Sequence, residues 1–247
     1  MLPKIDVPLY EITLPLLKKK VKFRPFLVKE EKILLMAAES ENPDPDAVVL
    51  AIKQIINNCC ASDLDIDDLP ILDFEYFFMH LRARSVGEII DLQYKCNNIL
   101  SGEGEDAKKC NAIVKLSFNA LEVEPDVKDI NQKIELTPNL GLVMKFPTFK
   151  GIESASKLEN LLPTQIVAKT IINSIDYIYD KDSIYYAKDT SEEELEDFID
   201  SLTREQFGQI QTFFESIPRL KKNVKFICQK CAYEEELMLE GIQSFFG

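Results

Sequence analysis

Residues 224–231 read Val-Lys-Phe-Ile-Cys-Gln-Lys-Cys, and this stretch decides how the rest of the chain is interpreted. Cys228 and Cys231 have the Cys-x-x-Cys spacing in which a tight turn directs two thiolates at one metal ion, as in half of a four-cysteine zinc site. The other half must come from far upstream, where Cys96 ends one strand-like run and Cys110 precedes another. The polar, glycine-containing segment between them predicts a loop. The sequence therefore predicts a zinc ribbon with one stretched turn, which ties the middle of the chain to its end.

The Cys-x-x-Cys pair is open to other interpretations. A redox-active pair of the thioredoxin type lies between a strand and the start of a helix, whereas this pair lies between two strand-like runs. A disulfide and a metal-free remnant of a metal site are the remaining alternatives. Cys59 and Cys60 are not expected to be ligands, because Cys59 falls on the apolar face of a predicted helix, where a free cysteine is a small core residue.

The composition of the chain favours a globular protein with protein partners. Its 247 residues suffice for one large or two small domains, and 46% of them are hydrophobic. The formal charge of −13 argues against a nucleic-acid partner, because phosphate contacts require an excess of Lys and Arg. No apolar run is long enough for a transmembrane helix or a signal peptide, so we expect a cytosolic location and no membrane partner. In that compartment, six cysteines favour free thiols or a metal over disulfides.

Helix and strand patterns occupy successive blocks of the chain, which predicts an α+β protein with helical segments flanking a β-rich middle. The four predicted segments are an N-terminal β-hairpin and helical region (1–87), a β-rich middle with the first cysteine pair (88–147), a helical region (148–218) and a C-terminal ribbon with the second pair (219–247). The ribbon is expected to pack on the middle segment and to pair with its strands, because the two cysteine pairs share one site.

Helices are predicted where apolar residues recur at helical spacing. The last two of them begin with capping boxes, Ser191 with Glu194 and Thr203 with Gln206. The helices predicted before these cover residues 29–40, 45–59, 71–84, 152–161 and 163–177.

Two surfaces are candidates for partner binding. The first is a basic β-hairpin formed by Tyr10–Leu14 and Lys18–Val28. Its lysines either prevent unwanted pairing of an edge strand with other chains or form a docking surface for an acidic partner protein. The terminal pair Phe245 and Phe246 either completes the core or inserts into a partner. The cations of the hairpin are Lys18, Lys19, Lys20, Lys22 and Arg24.

Catalytic motifs do not stand out anywhere in the sequence. His80 is the only histidine, and it lies in an aromatic helix with no activated nucleophile beside it. Nothing singles out a pair among the 42 acidic residues. A four-thiolate site has no open coordination position, which makes it structural rather than hydrolytic. We therefore expect no catalytic residue, no enzymatic activity and no small-molecule substrate.

Several stretches of the chain resemble the baseplate hub proteins of T-even-like contractile-tail bacteriophages. They are residues 22–32 (KFRPFLVKEEK), 69–76 (LPILDFEY), 82–88 (RARSVGE) and 239–246 (LEGIQSFF), with the two cysteine pairs. The resemblance implies a subunit of the central hub, or a protein that helps the hub to assemble, with other baseplate hub proteins as partners. It also implies a location in the host cytoplasm during assembly and in the virion tail baseplate.

Two other classes of protein compete with this interpretation. Zinc ribbons are common among adaptor proteins of transcription and nucleic-acid handling, but the net charge disfavours such a role. An enzyme is the third class, and it would require a cleft that holds two carboxylates with perturbed acidity.

Overall fold

A computed structural model of the chain describes residues 6–38, 45–102, 107–125, 127, 130–150, 163–241 and 244. The chain forms two compact units. Unit 1 contains Met1–Leu64, Phe74–Asp126 and Arg219–Gly247, and unit 2 contains Asp65–Asp73 and Val127–Pro218.

The described residues contain both helices and strands, which confirms the predicted α+β class. The helices are α1 (Val28–Ala38), α2 (Pro45–Cys59), α3 (Ile71–Ser85), α4 (Pro163–Asn173), α5 (Glu192–Asp200) and α6 (Arg204–Ser216). The strands are β1 (Tyr10–Thr13), β2 (Lys20–Phe23), β3 (Ile89–Lys95), β4 (Ile99–Ser101), β5 (Lys108–Lys109), β6 (Ile113–Asn119), β7 (Lys133–Thr137), β8 (Leu140–Met144), β9 (Ile175–Tyr179), β10 (Ile184–Tyr186), β11 (Lys221–Ile227) and β12 (Glu234–Glu240).

The N-terminal hairpin of unit 1 forms as its alternating pattern predicts. β1 pairs with β2 in antiparallel register, with Tyr10 opposite Phe23. Val21 and Phe23 point to the same face of β2 and are buried. The ring of Phe23 lies edge-on to Phe77 of α3, with the ring centroids 5.4 Å apart. The apolar face of the hairpin therefore packs on the aromatic side of α3.

An internal ion pair fixes the start of α1 beside this hairpin. The guanidinium of Arg24 donates to Glu30 at 2.9 Å, and the Leu27 N–H donates to the same carboxylate at 2.9 Å. Burial raises the pKa of Glu30, but hydrogen bonds from Arg24, Leu27 and Lys29 outweigh burial and hold this pKa at about 2. Arg24 thus forms an ion pair within unit 1.

Two further hairpins of unit 1 carry the cysteine pairs. β3 pairs with β6, and β11 pairs with β12, each as a separate antiparallel two-stranded sheet. The expectation that the terminal strands would pair with the central ones is therefore wrong. Leu116 and Phe226 are buried together with three of the cysteines. The two hairpins are therefore joined by side-chain packing and not by a shared ladder of backbone hydrogen bonds.

The segment between Cys96 and Cys110 is not the plain loop that its polarity predicted. β4 and β5 pair within it as a short antiparallel sheet, with Ile99 opposite Lys109. The β-branched Ile99 favours extended backbone, and this local preference was hidden by the polar residues around it.

Unit 2 is built on an antiparallel four-stranded sheet with the strand order β10-β9-β8-β7. Apolar side chains of this sheet and of α4, α5 and α6 form one core. Its buried members are Ile134, Leu136, Leu142, Met144, Ile171, Ile172, Ile175, Ile178, Leu195, Ile199, Ile210 and Phe213.

The helices of unit 2 confirm part of the prediction and correct another part. Both capping boxes form, at Ser191 and at Thr203. The helix predicted over 163–177 ends at Asn173, because Ile175–Tyr179 pairs with β8 as a strand. The predicted helix over 152–161 lies outside the described residues.

None of the helices in the described part of the chain combines the length and the hydrophobicity that a membrane-spanning helix requires.

Candidate metal centre

Four thiols from the two hairpins of unit 1 converge at one point. Their sulfur atoms all lie within 4.8 Å of one another, and each cysteine is free of disulfide bonds. The Sγ atoms of Cys96 and Cys231 are 3.8 Å apart, and those of Cys110 and Cys228 are also 3.8 Å apart. Three of the four residues are buried, and Cys231 is half-buried. We call this group the four-cysteine cluster. The structure thus brings together the four residues that the sequence singled out, and the cluster could hold a metal ion.

The C-terminal half of the cluster is a compact turn that links β11 to β12. The Cys228 N–H donates to the carbonyl of Tyr233 at 2.8 Å, and the Ala232 N–H donates to the carbonyl of Cys228 at 2.8 Å. Ala232 has a φ of 57°, in the left-handed region. These two bonds close the turn so that the thiols of Cys228 and Cys231 point to the same side.

The upstream half has the same backbone pattern, although its cysteines are far apart in sequence. The Cys96 N–H donates to the carbonyl of Ala112 at 2.9 Å, and the Asn111 N–H donates to the carbonyl of Cys96 at 3.0 Å. Asn111 has a φ of 54° and therefore corresponds to Ala232. The Cys110 N–H donates to the carbonyl of Asn98 at 2.8 Å, which closes the base of the inserted β4–β5 hairpin.

Each half of the cluster also donates a hydrogen bond to the other half. The Asn98 side-chain amide donates to the Sγ of Cys231 at 3.5 Å. The Lys230 ammonium donates to the carbonyl of Cys110 at 3.1 Å. Asn98 and Lys230 occupy equivalent positions in the two turns. Lys230 directly precedes the second cysteine of its turn, and Asn98 does so when the inserted residues 99–109 are left out of the count. The reciprocal bonds hold the two turns face to face.

The thiols differ strongly in acidity. The hydrogen bond from Asn98, together with the backbone N–H of Tyr233, lowers the pKa of Cys231 to about 6. A backbone N–H from Asn98 lowers the pKa of Cys96, but burial and the three neighbouring thiols outweigh it and raise this pKa to about 12. The protein alone therefore stabilises a thiolate at Cys231 and disfavours a second one at Cys96, whereas a bound cation would stabilise several.

The remaining cysteines lie elsewhere in unit 1. Cys59 is buried at the end of α2, and burial raises the pKa of its thiol to about 11. Cys60 follows it and donates to the carbonyl of Ser62 at 3.4 Å. Neither belongs to the four-cysteine cluster, in keeping with the predicted core position of Cys59.

The other residues proposed from the sequence lie on the N-terminal hairpin or outside the described part of the chain. Lys19 donates to the carbonyl of Asp63 at 2.7 Å, and Lys20 pairs with Glu11 at 3.4 Å across the N-terminal hairpin. Lys18 and Lys22 are exposed on the same hairpin. The pair Phe245 and Phe246 lies outside the described residues.

His80 has an environment that the sequence did not reveal. It is half-buried in α3, its ring lies 4.3 Å from that of Tyr76, and its Nε2 atom is buried without a hydrogen-bond partner. Burial, and then the charge of Arg84, lower its pKa to about 4. The imidazole is therefore neutral near pH 7 and acts as part of the aromatic packing of α3.

Sequence reasoning found the ligand candidates but missed the residues that orient them. Asn98 and Lys230 carry no motif of their own, and their contacts depend on the meeting of two hairpins. Asn111 could have been found, because asparagine directly after a cysteine turn is one of the few non-glycine residues that readily adopts a left-handed backbone.

The fold and the site define an α+β protein that gathers four cysteines from two separate hairpins. The chain belongs to the T4 bacteriophage base plate protein family, whose model matches residues 7–247. This result confirms the resemblance to contractile-tail phage baseplate proteins. Searches of curated proteins and of solved structures found no match.

Proposed function

We propose that this protein is a structural or assembly component of the central hub of the phage tail baseplate, and that it acts through protein–protein interfaces without catalysis. The observation that carries the proposal is the family match, which extends over residues 7–247. Its partners are other baseplate hub proteins. It is located in the host cytoplasm during assembly and in the virion tail baseplate. The alternative role as a zinc-ribbon adaptor in transcription is not favoured by this family.

We further propose that the four-cysteine cluster binds a structural zinc ion and that the two hairpins form a zinc ribbon. A zinc ion with Zn–S distances of about 2.3 Å places neighbouring ligand sulfurs about 3.8 Å apart at the corners of a tetrahedron. Two of the sulfur separations of the cluster, Cys96 to Cys231 and Cys110 to Cys228, are 3.8 Å. A set of four thiolates suits zinc, or the iron of an iron–sulfur centre, and does not suit calcium or magnesium.

Zinc in such a site would connect parts of the chain that are distant in sequence. Four protein ligands complete its coordination, which leaves no position for a substrate or a catalytic water. The function of the protein then depends on its surfaces. The proposed partner-binding residues are those of the basic hairpin, Lys18, Lys19, Lys20, Lys22 and Arg24, and the terminal Phe245 and Phe246.

Reconstitution with the other hub chains of the same phage tests the hub assignment. We expect this protein to co-purify with a hub subcomplex when the chains are expressed together, and we expect phage that lack it to produce no complete baseplates by electron microscopy. Infectious phage with complete tails, produced without this protein, would contradict the proposal.

Native mass spectrometry tests the zinc assignment on the same preparation. One zinc ion per chain, removed by a chelator together with cooperative unfolding of unit 1, is the expected result. The zinc assignment would be contradicted by a chain that contains no metal and whose stability is unchanged by the chelator. Bound iron with a sulfide-dependent absorption band would instead identify the cluster as an iron–sulfur centre.

A further inference from the structure

The sheet of unit 2 ends on one side in β10, a strand whose residues are all exposed. β10 is the outermost strand in the order β10-β9-β8-β7, and Ile184, Tyr185 and Tyr186 are 55%, 49% and 45% exposed. Edge strands of natural sheets usually carry charges, prolines or bulges that prevent pairing with another chain. The residues of β10 are instead apolar or aromatic, and no described element covers them. This edge is therefore suited to pair with a further strand.

The hydrogen bonds between β9 and β10 show which main-chain groups of β10 point away from the sheet. The Asp180 N–H donates to the carbonyl of Ser183 at 3.0 Å, so these two residues form a hydrogen-bonded pair. Hydrogen-bonded and non-hydrogen-bonded pairs alternate along an antiparallel ladder. Tyr185 is therefore the next residue that bonds to β9, and Ile184 and Tyr186 direct their N–H and C=O groups to the open side.

These outward groups fit a second copy of the same strand in antiparallel orientation. A pairing that crosses at Tyr185 places Ile184 of each copy opposite Tyr186 of the other, and both residues of such a pair exchange N–H···O=C hydrogen bonds. The Tyr186 carbonyl also accepts from the Thr190 hydroxyl at 2.9 Å, which leaves its second lone pair for the added strand. The two halves of the contact are identical, as in the interface of a twofold dimer.

The charges that flank β10 are complementary to themselves in this pairing. Asp182 and Lys188 are each three residues from Tyr185, on opposite sides of it. Lys181 and Asp189 are each four residues from it, again on opposite sides. Antiparallel pairing about Tyr185 therefore brings each of these aspartates of one copy towards a lysine of the other. A register shifted by one residue opposes at most one of the lysines to an aspartate.

The same charges select a second copy as the occupant of this edge. All four side chains are exposed, and none of them forms an ion pair with another described residue. Residues 181–189 carry two lysines and two aspartates, so this contact is neutral although the chain has a formal charge of −13. A uniformly acidic or basic partner would match only half of these charges, whereas a second copy matches all of them.

The apolar side chains of β10 also match those of a second copy. Ile184 and Tyr186 are paired with Tyr179 and Tyr177 of β9, and the rings of Tyr186 and Tyr177 are 5.7 Å apart. In the antiparallel pairing, Ile184 of one copy lies beside Tyr186 of the other on this same face. Cross-strand pairs of aromatic and β-branched residues stabilise a sheet. The pairing thus joins two aromatic sheet faces into one.

We propose that this chain forms a twofold symmetric dimer through β10 of unit 2. Each copy adds its β10 to that of the other, so that the two four-stranded sheets become one continuous sheet with the strand order β7-β8-β9-β10-β10-β9-β8-β7. The proposal goes beyond the baseplate role and does not depend on the four-cysteine cluster, which lies in unit 1.

Sedimentation equilibrium of the full chain tests the proposal through an exchange of charges. Asp182→Lys and Lys188→Asp each oppose like charges at two symmetric positions, and each should raise the dimer dissociation constant by about tenfold. A chain with both substitutions restores the opposite charges and should dimerise as the wild type does. Asp197→Lys, at an exposed aspartate of α5, is the matched control and should leave the dissociation constant unchanged.

A mixture of the two single variants tests the twofold pairing directly. Asp182→Lys opposes Lys188→Asp at both positions of a mixed dimer, so that opposite charges meet again. Native mass spectrometry, which separates the variants by mass, should therefore show mixed dimers in excess over both homodimers.

A proline substitution tests the hydrogen bonds separately from the charges. Tyr186 has a φ of −74°, which suits proline, and its N–H points away from β9, so Tyr186→Pro removes a donor to the second copy and no bond within the sheet. Tyr186→Ala is the matched control, because it loses the same ring but keeps the N–H. The dimer of Tyr186→Pro should be about 100-fold weaker than that of Tyr186→Ala. Thermal unfolding verifies that both variants are folded.

Three results would overturn the proposal. One is a wild-type chain that stays monomeric at sub-millimolar concentration, and another is a dimer that neither the charge reversals nor Tyr186→Pro weakens. The third is a reconstituted hub subcomplex in which another chain, and not a second copy, protects the Ile184 and Tyr186 amides from hydrogen exchange. A monomeric chain that still joins the hub subcomplex would overturn the dimer and leave the proposed function intact.

Discussion

The two cysteine turns that meet at the four-cysteine cluster form equivalent backbone hydrogen bonds, although only one of them is continuous in sequence. Cys228 and Cys231 are separated by two residues, whereas residues 99–109 are inserted between Asn98 and Cys110. In both turns, the residue after the second cysteine has a positive φ and donates to the carbonyl of the first. The comparison shows that hydrogen bonds define the turn. An insertion between two of its residues, here between Asn98 and Cys110, leaves those hydrogen bonds in place.

The largest expected effect comes from removing one of the proposed metal ligands of the compact turn. Cys228→Ser should abolish metal binding, because serine is a poor zinc ligand and Cys228 is fully buried. Structural zinc contributes about 10 kcal/mol or more to the folding of small zinc domains, so the free energy of unfolding of unit 1 should fall by several kcal/mol. Native mass spectrometry and denaturant unfolding measure the two effects.

Cys60→Ser is the matched control for this substitution. Its thiol lies outside the cluster, and a serine hydroxyl can donate to the same Ser62 carbonyl. The metal content should stay at the wild-type value. Equal metal loss in the two variants would show that the cluster has no special role.

The next largest effect tests the reciprocal bonds between the turns. Asn98→Ala removes the amide that donates to the Sγ of Cys231 and should weaken metal affinity by about 10- to 100-fold, as is usual for groups that hydrogen-bond to a ligand. Lys230→Ala should have a smaller effect, because Lys230 donates to a carbonyl and not to a sulfur. Competition with a chromophoric chelator measures the affinities.

Asn97→Ala is the control for Asn98→Ala. The Asn97 side chain donates to the hydroxyl of Tyr94 at 2.9 Å and not to a cysteine. Metal affinity should therefore stay close to that of the wild type, and an equal loss in both variants would indicate a general loosening of the turn.

Deletion of residues 99–109 tests the equivalence of the two turns directly. Asn98 would then be joined to Cys110, which recreates the Cys-x-x-Cys spacing of the C-terminal turn. We expect metal binding to be retained and the free energy of unfolding to rise by about 1 to 2 kcal/mol, since a shorter loop costs less closure entropy. Metal stoichiometry and chemical denaturation provide the measurements.

Deletion of residues 98–109 is the matched control, because it leaves a single residue between the cysteines. That turn is one residue too short for the hydrogen bond from Asn111 to Cys96. It should lose the metal. If the chain without residues 98–109 bound metal as well as the chain without residues 99–109, these hydrogen bonds would not define the turn.

The smallest expected effect distinguishes the two left-handed residues. Ala232→Gly should raise the free energy of unfolding by about 0.5 to 1 kcal/mol, because glycine adopts the φ of 57° without the steric cost that alanine has. Asn111→Gly should change it less, since asparagine already tolerates this region. Thermal unfolding of the metal-loaded variants measures both effects. A larger gain in stability for Asn111→Gly than for Ala232→Gly would contradict this explanation of the two left-handed residues.

Features that depend on neighbours in sequence were predicted well. Both capping boxes form where the sequence predicts them, because each joins residues of a single helical turn. The helix predicted over 71–84 also forms, as α3, and its apolar side, including Phe74, Phe77 and Phe78, is buried. The end of α4 was not predicted, since Ile175–Tyr179 has an apolar pattern that also suits a helix and is made a strand by pairing with β8.

The candidate metal centre was predicted in part. The four cysteines were identified from their spacing and from the strand-like runs around them. The inserted β4–β5 hairpin, the cross-turn donors Asn98 and Lys230, and the separate pairing of the two hairpins were not. Each of these depends mainly on which residues meet after folding, and local patterns carry little of that information.

The sequence by itself determined the residue chemistry of this protein: four thiols in two pairs, an acidic surface, capped helices and the pattern of a phage baseplate family. These properties follow from residue type and short-range spacing. Only the tertiary structure decided that the two pairs form equivalent turns, that one thiol is more acidic than another, and that β6 and β11 belong to separate sheets. Such features arise from contacts between residues more than a hundred positions apart, as between Cys110 and Cys228, and their energies depend on burial that only the folded chain creates.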